Sequence, residues 1–245
     1  MVYDFHSHIL PGVDDGAKDI KTAKEMLLKS ADSGVGAVIS TSHCYPYSEH
    51  DIESFINRRD KSFSDVEGLD SGIKLYKGCE VHLTGDLTKF KNIRKLCINS
   101  TDYMLLEMPM TAWNDTVIDN VYKLTLMGIT PIIAHNERNN HQKKEIHSSL
   151  LDLDVLIQIN AQSLWDRAFK KDIDKLLRMG MVHIIGTDMH NLDKRKPCMA
   201  KAQKIVSKRY GKVAWEYLMN NAEKVLNGTE ISYREFKSFK KKLLF

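Results

Sequence analysis

His6 and His8 stand two residues apart in the segment Asp4-Phe5-His6-Ser7-His8. On an extended strand, residues two apart point the same way, so both imidazoles can reach one metal ion. Asp4 is placed to orient a ligand histidine from behind, as metal-bound imidazoles usually require. Further along, His43, Glu80 with His82, Glu107, His135, and Asp188 with His190 each end or follow a short apolar run. A lone histidine in such a place is usually a hydrogen-bonded structural residue. The joint pattern is different. Gathering five histidines and four carboxylates, Asp14 included, would be costly without a cation, because like charges repel and desolvated charges need partners. Mixed imidazole and carboxylate donors suit Zn, Mn, Fe or Co.

The elements that must position these groups alternate regularly. Apolar, Val- and Ile-rich stretches predict strands over residues 2–6, 37–42, 74–81, 103–107, 130–134, 155–160 and 182–187. Helical patterns lie between them at 20–33, 116–127 and 173–179, and at 200–210 and 213–220 near the end. Strand–helix alternation implies a parallel sheet with helices outside it. Periodicity alone leaves a barrel and an open sheet equally open. The chemistry-bearing residues choose between them. They fall at the ends of six strands, and a parallel barrel gathers all such ends at one mouth, whereas an open sheet offers mainly its switch point. The expectation is an α/β chain forming one domain over residues 1–245, a distorted (β/α)7 barrel of the TIM-barrel type.

The loop Leu10-Pro11-Gly12-Val13-Asp14-Asp15-Gly16 presents carboxylates on a turn-forming sequence. Asp15 reads there as an ordinary turn residue and Asp19 as a helix N-cap. Net charge is +4, too mild to argue for nucleic acid. Part of the basic excess is local, Lys237, Lys240, Lys241 and Lys242, and reads as a solvated helix face. Four cysteines form no CxxC pair, no basic-then-apolar leader is visible, and no apolar run approaches a membrane span. The expectation is a reduced, cytoplasmic protein without membrane insertion. No cysteine has an arginine six positions later, which excludes the cysteine-nucleophile class of tyrosine phosphatase.

Taken in order, the segments DFHSHILPGVDDG, STSHCYP, GCEVH, LLEMP, IAHNERN and GTDMHN resemble the PHP family of metal-dependent phosphoesterases. The VDDG, HNER and TDMHN pieces look most like the bacterial protein-tyrosine phosphatases encoded with capsular and exopolysaccharide genes. The resemblance runs from Asp4 to Asn191, nearly the whole chain. It implies three divalent ions, Mn²⁺ foremost, with Fe, Co or Zn as alternatives. His6, His8, Glu80 and Asp188 would hold one ion. Glu80 would bridge to a second, held also by Glu107 and His135. Asp14, His43 and His190 would hold the third. The resemblance further implies that Arg138 and Arg195 bind the substrate phosphate, which a guanidinium grips through two parallel hydrogen bonds. A metal-activated hydroxide would then attack phosphotyrosine on a protein, a bacterial tyrosine kinase of polysaccharide export.

Tyr45 and Tyr47 are candidates for the rim of such a cleft, with loop packing as their plainer role; His82 stays open between supporting a ligand and a structural role. Four competing readings remain: a phosphatase of a small phosphomonoester such as histidinol phosphate, a metal-dependent amidohydrolase, a non-catalytic phospho-binding module, and a nuclease. The last is disfavoured by the lack of a broad basic stripe. Oligomeric state stays open.

Overall fold

β1 (Tyr3–Ser7) is buried on both faces, as a parallel strand covered by helices must be. Its alternation sends Phe5 one way and Asp4, His6 and His8 the other. The computed structural model describes residues 1–231; the lysines at 237, 240, 241 and 242 lie outside the described residues. α1 (Ile20–Asp32) follows, started by Asp19, whose carboxylate accepts from Thr22 N at 2.7 Å, as expected of a cap. Ala23, Met26 and Leu27 form its buried face.

Two strands expected to be continuous are each broken. The strand expected over residues 37–42 stops at Ser40 as β2 (Ala37–Ser40), and a separate β3 (His43–Cys44) follows just beyond it, before the chain turns into α2 (Glu49–Glu67). Residues 74–81 give β4 (Lys74–Lys77) and β5 (Glu80–His82). At the break Glu80 N donates to both Thr41 O and Ser42 O at 3.1 Å, so the ladder slips there instead of ending. Gly78 sits in the slip, where a Cβ would come within 3.1 Å of Ser40 O. The remaining elements are β6 (Tyr103–Glu107), α3 (Asp115–Leu126), β7 (Thr130–Ile133), α4 (Lys144–Leu151), β8 (Leu156–Asn160), α5 (Lys170–Arg178), β9 (Ile184–Gly186), α6 (Met199–Tyr210) and α7 (Lys212–Leu226).

All the strand pairings are parallel. One sheet has the order β1-β2-β4 and the other β3-β5-β6-β7-β8-β9. The slip at Glu80 joins them on one side. On the other, Asp188 N donates to His6 O at 2.7 Å and His8 N to Met189 O at 2.8 Å, bringing the segment after β9 against β1. The result is a mixed α/β fold with a strongly curled parallel sheet. Gly186 makes the approach possible: a Cβ there would stand 2.5 Å from His6 Cβ and N. Among the described residues no helix is long and apolar enough to cross a membrane.

α2 and α4 escaped the sequence reading. The signal for α2 was present as a capping box, with Ser48 and Asp51 exchanging hydrogen bonds at its first turn.

Candidate metal centre

Glu80 is the hub. It is fully buried, its Oε2 lies 3.1 Å from His6 Nε2, 3.3 Å from His8 Nε2 and 3.1 Å from His43 Nδ1, and its Oε1 lies 2.8 Å from His135 Nε2. Asp188 closes the first group, with Oδ1 at 3.5 Å from His6 Nε2 and 3.4 Å from His8 Nε2. Glu107, at the end of β6, lies on the far side of Glu80, its Oε1 at 3.6 Å from His135 Nε2 and its Oε2 at 3.9 Å from His43 Nδ1. The groupings expected around His6 and His135 are therefore assembled in space.

The third grouping differs from expectation. Asp14 does not face His43 and His190. Its Oδ2 accepts from His8 Nδ1 at 2.7 Å and from His43 N at 2.8 Å, and its Oδ1 accepts from Gly16 N. Those bonds lock it behind the histidines. The carboxylate that faces outward is Asp15, set aside above as a turn residue: its Oδ1 is 3.5 Å from His190 Nε2 and 3.8 Å from His43 Nε2. His8, Asp15, His43 and His190 bring one donor atom each within 4.8 Å of one another. The loop folds back so tightly that a Cβ on Gly16 would meet His8 O at 2.1 Å, and this turn decides which of the two adjacent aspartates looks inward.

Asp4 also departs from expectation. Its carboxylate accepts from Thr187 N at 2.7 Å and Thr187 Oγ1 at 2.5 Å, bracing β1 against the segment after β9 and touching no imidazole ring. Burial pushes its pKa up to about 6, against the pull of the Thr187 hydrogen bonds. The rings are oriented by other groups. Asp14 holds His8, and Gln158 Oε1 lies 3.2 Å from His6 Nδ1 while accepting from His135 N at 2.7 Å. Asn160 Nδ2 donates to Asp188 Oδ2 at 2.8 Å. Gln158 and Asn160 were missed, although two amides at alternate positions of a fully buried strand are a readable sign of a polar interior. His82 Nδ1 lies 3.0 Å from Glu107 Oε2, and the Tyr45 ring sits between His43 and His82, 5.6 and 5.4 Å from their ring centres. Tyr47 is exposed.

Two site residues hold left-handed backbone, His135 at φ 31° and Asp188 at φ 55°. Such conformations cost energy in residues other than glycine and persist where surrounding structure imposes them, often at functional sites. Above Asp188 the two arginines converge. Arg138 donates to its Oδ2 at 2.8 Å, and an Arg195 nitrogen lies 2.6 Å from its Oδ1. Both guanidiniums are about one-third exposed, so they stand at the mouth with spare donors.

The donor set fits divalent cations. His43 Nδ1, Glu80 Oε1, His135 Nδ1, Asp188 Oδ1 and His190 Nε2 are buried and without a hydrogen bond among the described residues. The close approaches of Glu80 Oε1 to His135 and of Asp188 Oδ1 to Arg195 lack the angle of a hydrogen bond. Burial opposes ionisation of Glu80, but His6 and His135 outweigh it and hold its pKa well below the carboxylate range. Burial likewise opposes a charge on His8, and Asp14, Asp188 and Glu80 hold its pKa well above the ordinary value. His190, disfavoured by burial and by His8, is pushed down to about 4. Protonated imidazoles thus help these carboxylates keep their charge, and a divalent cation can take the place of those protons.

Residues 2–227 match the family model for capsular polysaccharide synthesis proteins CpsB/CapC. The chain is 32% identical over 242 residues to the tyrosine-protein phosphatase CpsB of Streptococcus agalactiae, covering 91% of this chain and 97% of that protein. It is 27% identical to the tyrosine-protein phosphatase YwqE of Bacillus subtilis, over 99% of this chain and 98% of that one. Among solved structures it resembles, at TM-score 0.78 and 26% identity over 94% of this chain and 96% of the other, one described under YwqE from B. subtilis and CpsB from Streptococcus pneumoniae as unique metal-dependent tyrosine phosphatases. A lactonase from Listeria monocytogenes, at 10% identity and TM-score 0.54 over 100% of this chain and 94% of the other, shares the fold alone.

Proposed function

The chain belongs to the CpsB/CapC family of capsular polysaccharide synthesis proteins, and on that premise we infer that it is a metal-dependent protein-tyrosine phosphatase. The observation that carries this reading is the meeting of two half-free arginines over Asp188 at the rim of a His- and carboxylate-lined centre around Glu80. A phosphate seated there has guanidinium donors on one side and cation ligands on the other.

His6, His8, Glu80 and Asp188 would hold a first divalent ion, Glu80, Glu107 and His135 a second, and Asp15, His43 and His190 a third. Mn²⁺ is the proposed metal, with Fe, Co or Zn as chemically acceptable substitutes. When bound, such ions supply positive charge to phosphoryl oxygens and acidify a water so that a nucleophile is available near neutral pH. The chain supplies the rest. Arg138 and Arg195 grip the phosphoryl oxygens. Asp14 and Gln158 fix the His8 and His6 rings from behind. Tyr45, beside His43, offers an aromatic face to a phenolic ring entering the mouth.

The partner we propose is a phosphotyrosine protein, a bacterial tyrosine kinase of polysaccharide export, met in the cytoplasm. We also propose that the chain is one domain and that β2 with β3, and β4 with β5, act as single staves, giving seven strands around a closed barrel. The test of function compares phosphate release from a phosphotyrosine peptide and from histidinol phosphate on one Mn²⁺-loaded batch. Release mainly from the peptide supports the tyrosine phosphatase; the opposite preference moves the substrate to small-molecule chemistry.

A further inference from the structure

Beside the third ligand group lies an open cleft of about 480 Å³. Asp15 and His43 form part of its lining, the loop at Val13 and Asp14 forms one wall, and the N-terminal half of α2 forms the other. On that helical wall stand His50, Ser54 and Arg58. Four-residue steps put the three on one face of the helix, and eight residues at 1.5 Å carry them along ~12 Å of wall.

The charges of this cleft are unevenly committed. Asp14 is bound to His8, His43 N and Gly16 N. Asp51 is spent on the capping box, accepting from Ser48 N at 2.8 Å and from Ser48 Oγ at 2.9 Å. Asp15 faces His43 and His190. The basic side chains have no such partners: among the described residues neither Arg58 nor His50 makes a side-chain ion pair or hydrogen bond, and both are exposed. The neighbouring Arg59, by contrast, is buried and held by Asp60 and Lys95 O. What the cleft leaves unsatisfied is cationic and hydrogen-bond-donating, and it opens directly onto the proposed metal centre.

We propose that this cleft is a substrate subsite that selects phosphotyrosine peptides carrying an acidic residue a few positions from the phosphotyrosine, with Arg58 as the principal specificity residue and His50 and Ser54 lining the path. The proposal rests on the phosphatase reading above and says what that same site prefers. An extended peptide advances about 3.3 Å per residue, so a peptide lying along the ~12 Å of wall from His50 to Arg58 covers roughly three to four residues. A carboxylate at that distance meets the Arg58 guanidinium, and a lysine there meets like charge. Because the pair is exposed, the attraction alone is modest, and attraction to Glu combined with repulsion of Lys separates the two peptides by about tenfold.

The experiment uses Mn²⁺-loaded protein and three phosphotyrosine peptides identical but for Glu, Ala or Lys at the second to fourth positions on either side of the phosphotyrosine, with p-nitrophenyl phosphate as a flank-free reference on each sample. Expected for the wild type is kcat/KM in the order Glu, Ala, Lys, with about tenfold between the extremes and most of it in KM. Arg58→Glu is expected to reverse that order, and Arg58→Gln to flatten it. The ratio of peptide to p-nitrophenyl phosphate turnover corrects for the fraction of each variant that is folded and loaded. Equal kcat/KM on all three peptides, or a Glu preference that survives Arg58→Glu, overturns the subsite. Turnover of p-nitrophenyl phosphate with none of any peptide overturns the tyrosine phosphatase reading itself, and the subsite with it.

Discussion

His8 Nδ1 and Asp14 Oδ2 lie 2.7 Å apart, a charge-assisted contact buried beneath the metal centre. The next residue, Asp15, points the other way, its side chain 69% exposed and its oxygen 3.5 Å from His190 Nε2. Two adjacent carboxylates thus stand in different places: Asp14 fixes an imidazole, and Asp15 is the one proposed above as an ion ligand.

The two aspartates should separate on mutation. Asp15→Asn should lower bound metal by about one ion per chain, measured by elemental analysis, while Asp14→Asn should leave stoichiometry intact at saturating metal. Losing an outer partner of a ligand histidine typically weakens metal affinity by about 10–100-fold, and that shift is expected for Asp14→Asn in a metal titration. Normal metal content in Asp15→Asn would return the third ion to other ligands.

Gln158 acts on the first group in the same way. Gln158→Leu keeps the volume but removes the oxygen that faces His6 Nδ1 and accepts from His135 N. Metal affinity should fall by about 10–100-fold, with thermal stability of the metal-free form also lowered because His135 N is left buried and unpaired. Unaltered affinity would show that the His6 ring is held without it.

Arg138 and Arg195 should affect substrate rather than metal. A hydrogen bond to a charged group is worth about 1.5–3 kcal/mol, so each Arg→Ala change should cost roughly 10–100-fold in kcat/KM. Inorganic phosphate should inhibit the variants more weakly, with metal content retained. Arg138→Lys should recover little, because lysine lacks the planar fork. Metal loss in Arg138→Ala would instead make that arginine part of the scaffold of Asp188.

His183 makes the fold acid-sensitive away from the candidate metal centre. His183 is 5% exposed, and burial pushes its pKa down from 6.5 to about 4, while its Nδ1 accepts from Ile157 N at 3.0 Å. The folded state holds this ring neutral and the unfolded chain protonates it, so its contribution is intact above pH ~6.5 and is lost as pH falls toward 4. The size is roughly 3 kcal/mol at the low-pH end. Denaturant unfolding of His183→Gln between pH 7 and 4 should show a shallower loss of stability than the wild type. An identical slope would place the acid sensitivity elsewhere.

Much of the centre was legible because its carriers are simple. His6 and His8 share a face by strand alternation, and Glu80, Glu107, His135 and Asp188 end or follow apolar strands, so strand order alone brings them to one mouth. What escaped was set by backbone detail. Whether Asp14 or Asp15 faces the ions depends on the turn that Gly16 permits against His8 O, and no residue type announces it. The breaks between β2 and β3 and between β4 and β5 arise from a slip of the ladder at Glu80, a backbone hydrogen-bonding detail that no residue type in Ser40-Thr41-Ser42 or Lys77-Gly78-Cys79 specifies. α2 was hidden because its buried positions include Arg59 and Ser62 among Ile52, Phe55, Phe63 and Val66, diluting the apolar stripe.

The central claim is that this chain turns over phosphotyrosine through a metal centre built on Glu80. The most direct measurement follows bound metal and phosphate release from a phosphotyrosine peptide on the same sample as EDTA is titrated in and Mn²⁺ is then restored. The account predicts that release falls to background as the ions leave and returns with them, and that Glu80→Gln, which weakens the shared ligand, shows neither full loading nor turnover. Phosphate release that persists in demonstrably metal-free protein, or that survives Glu80→Gln at wild-type rate, would contradict it.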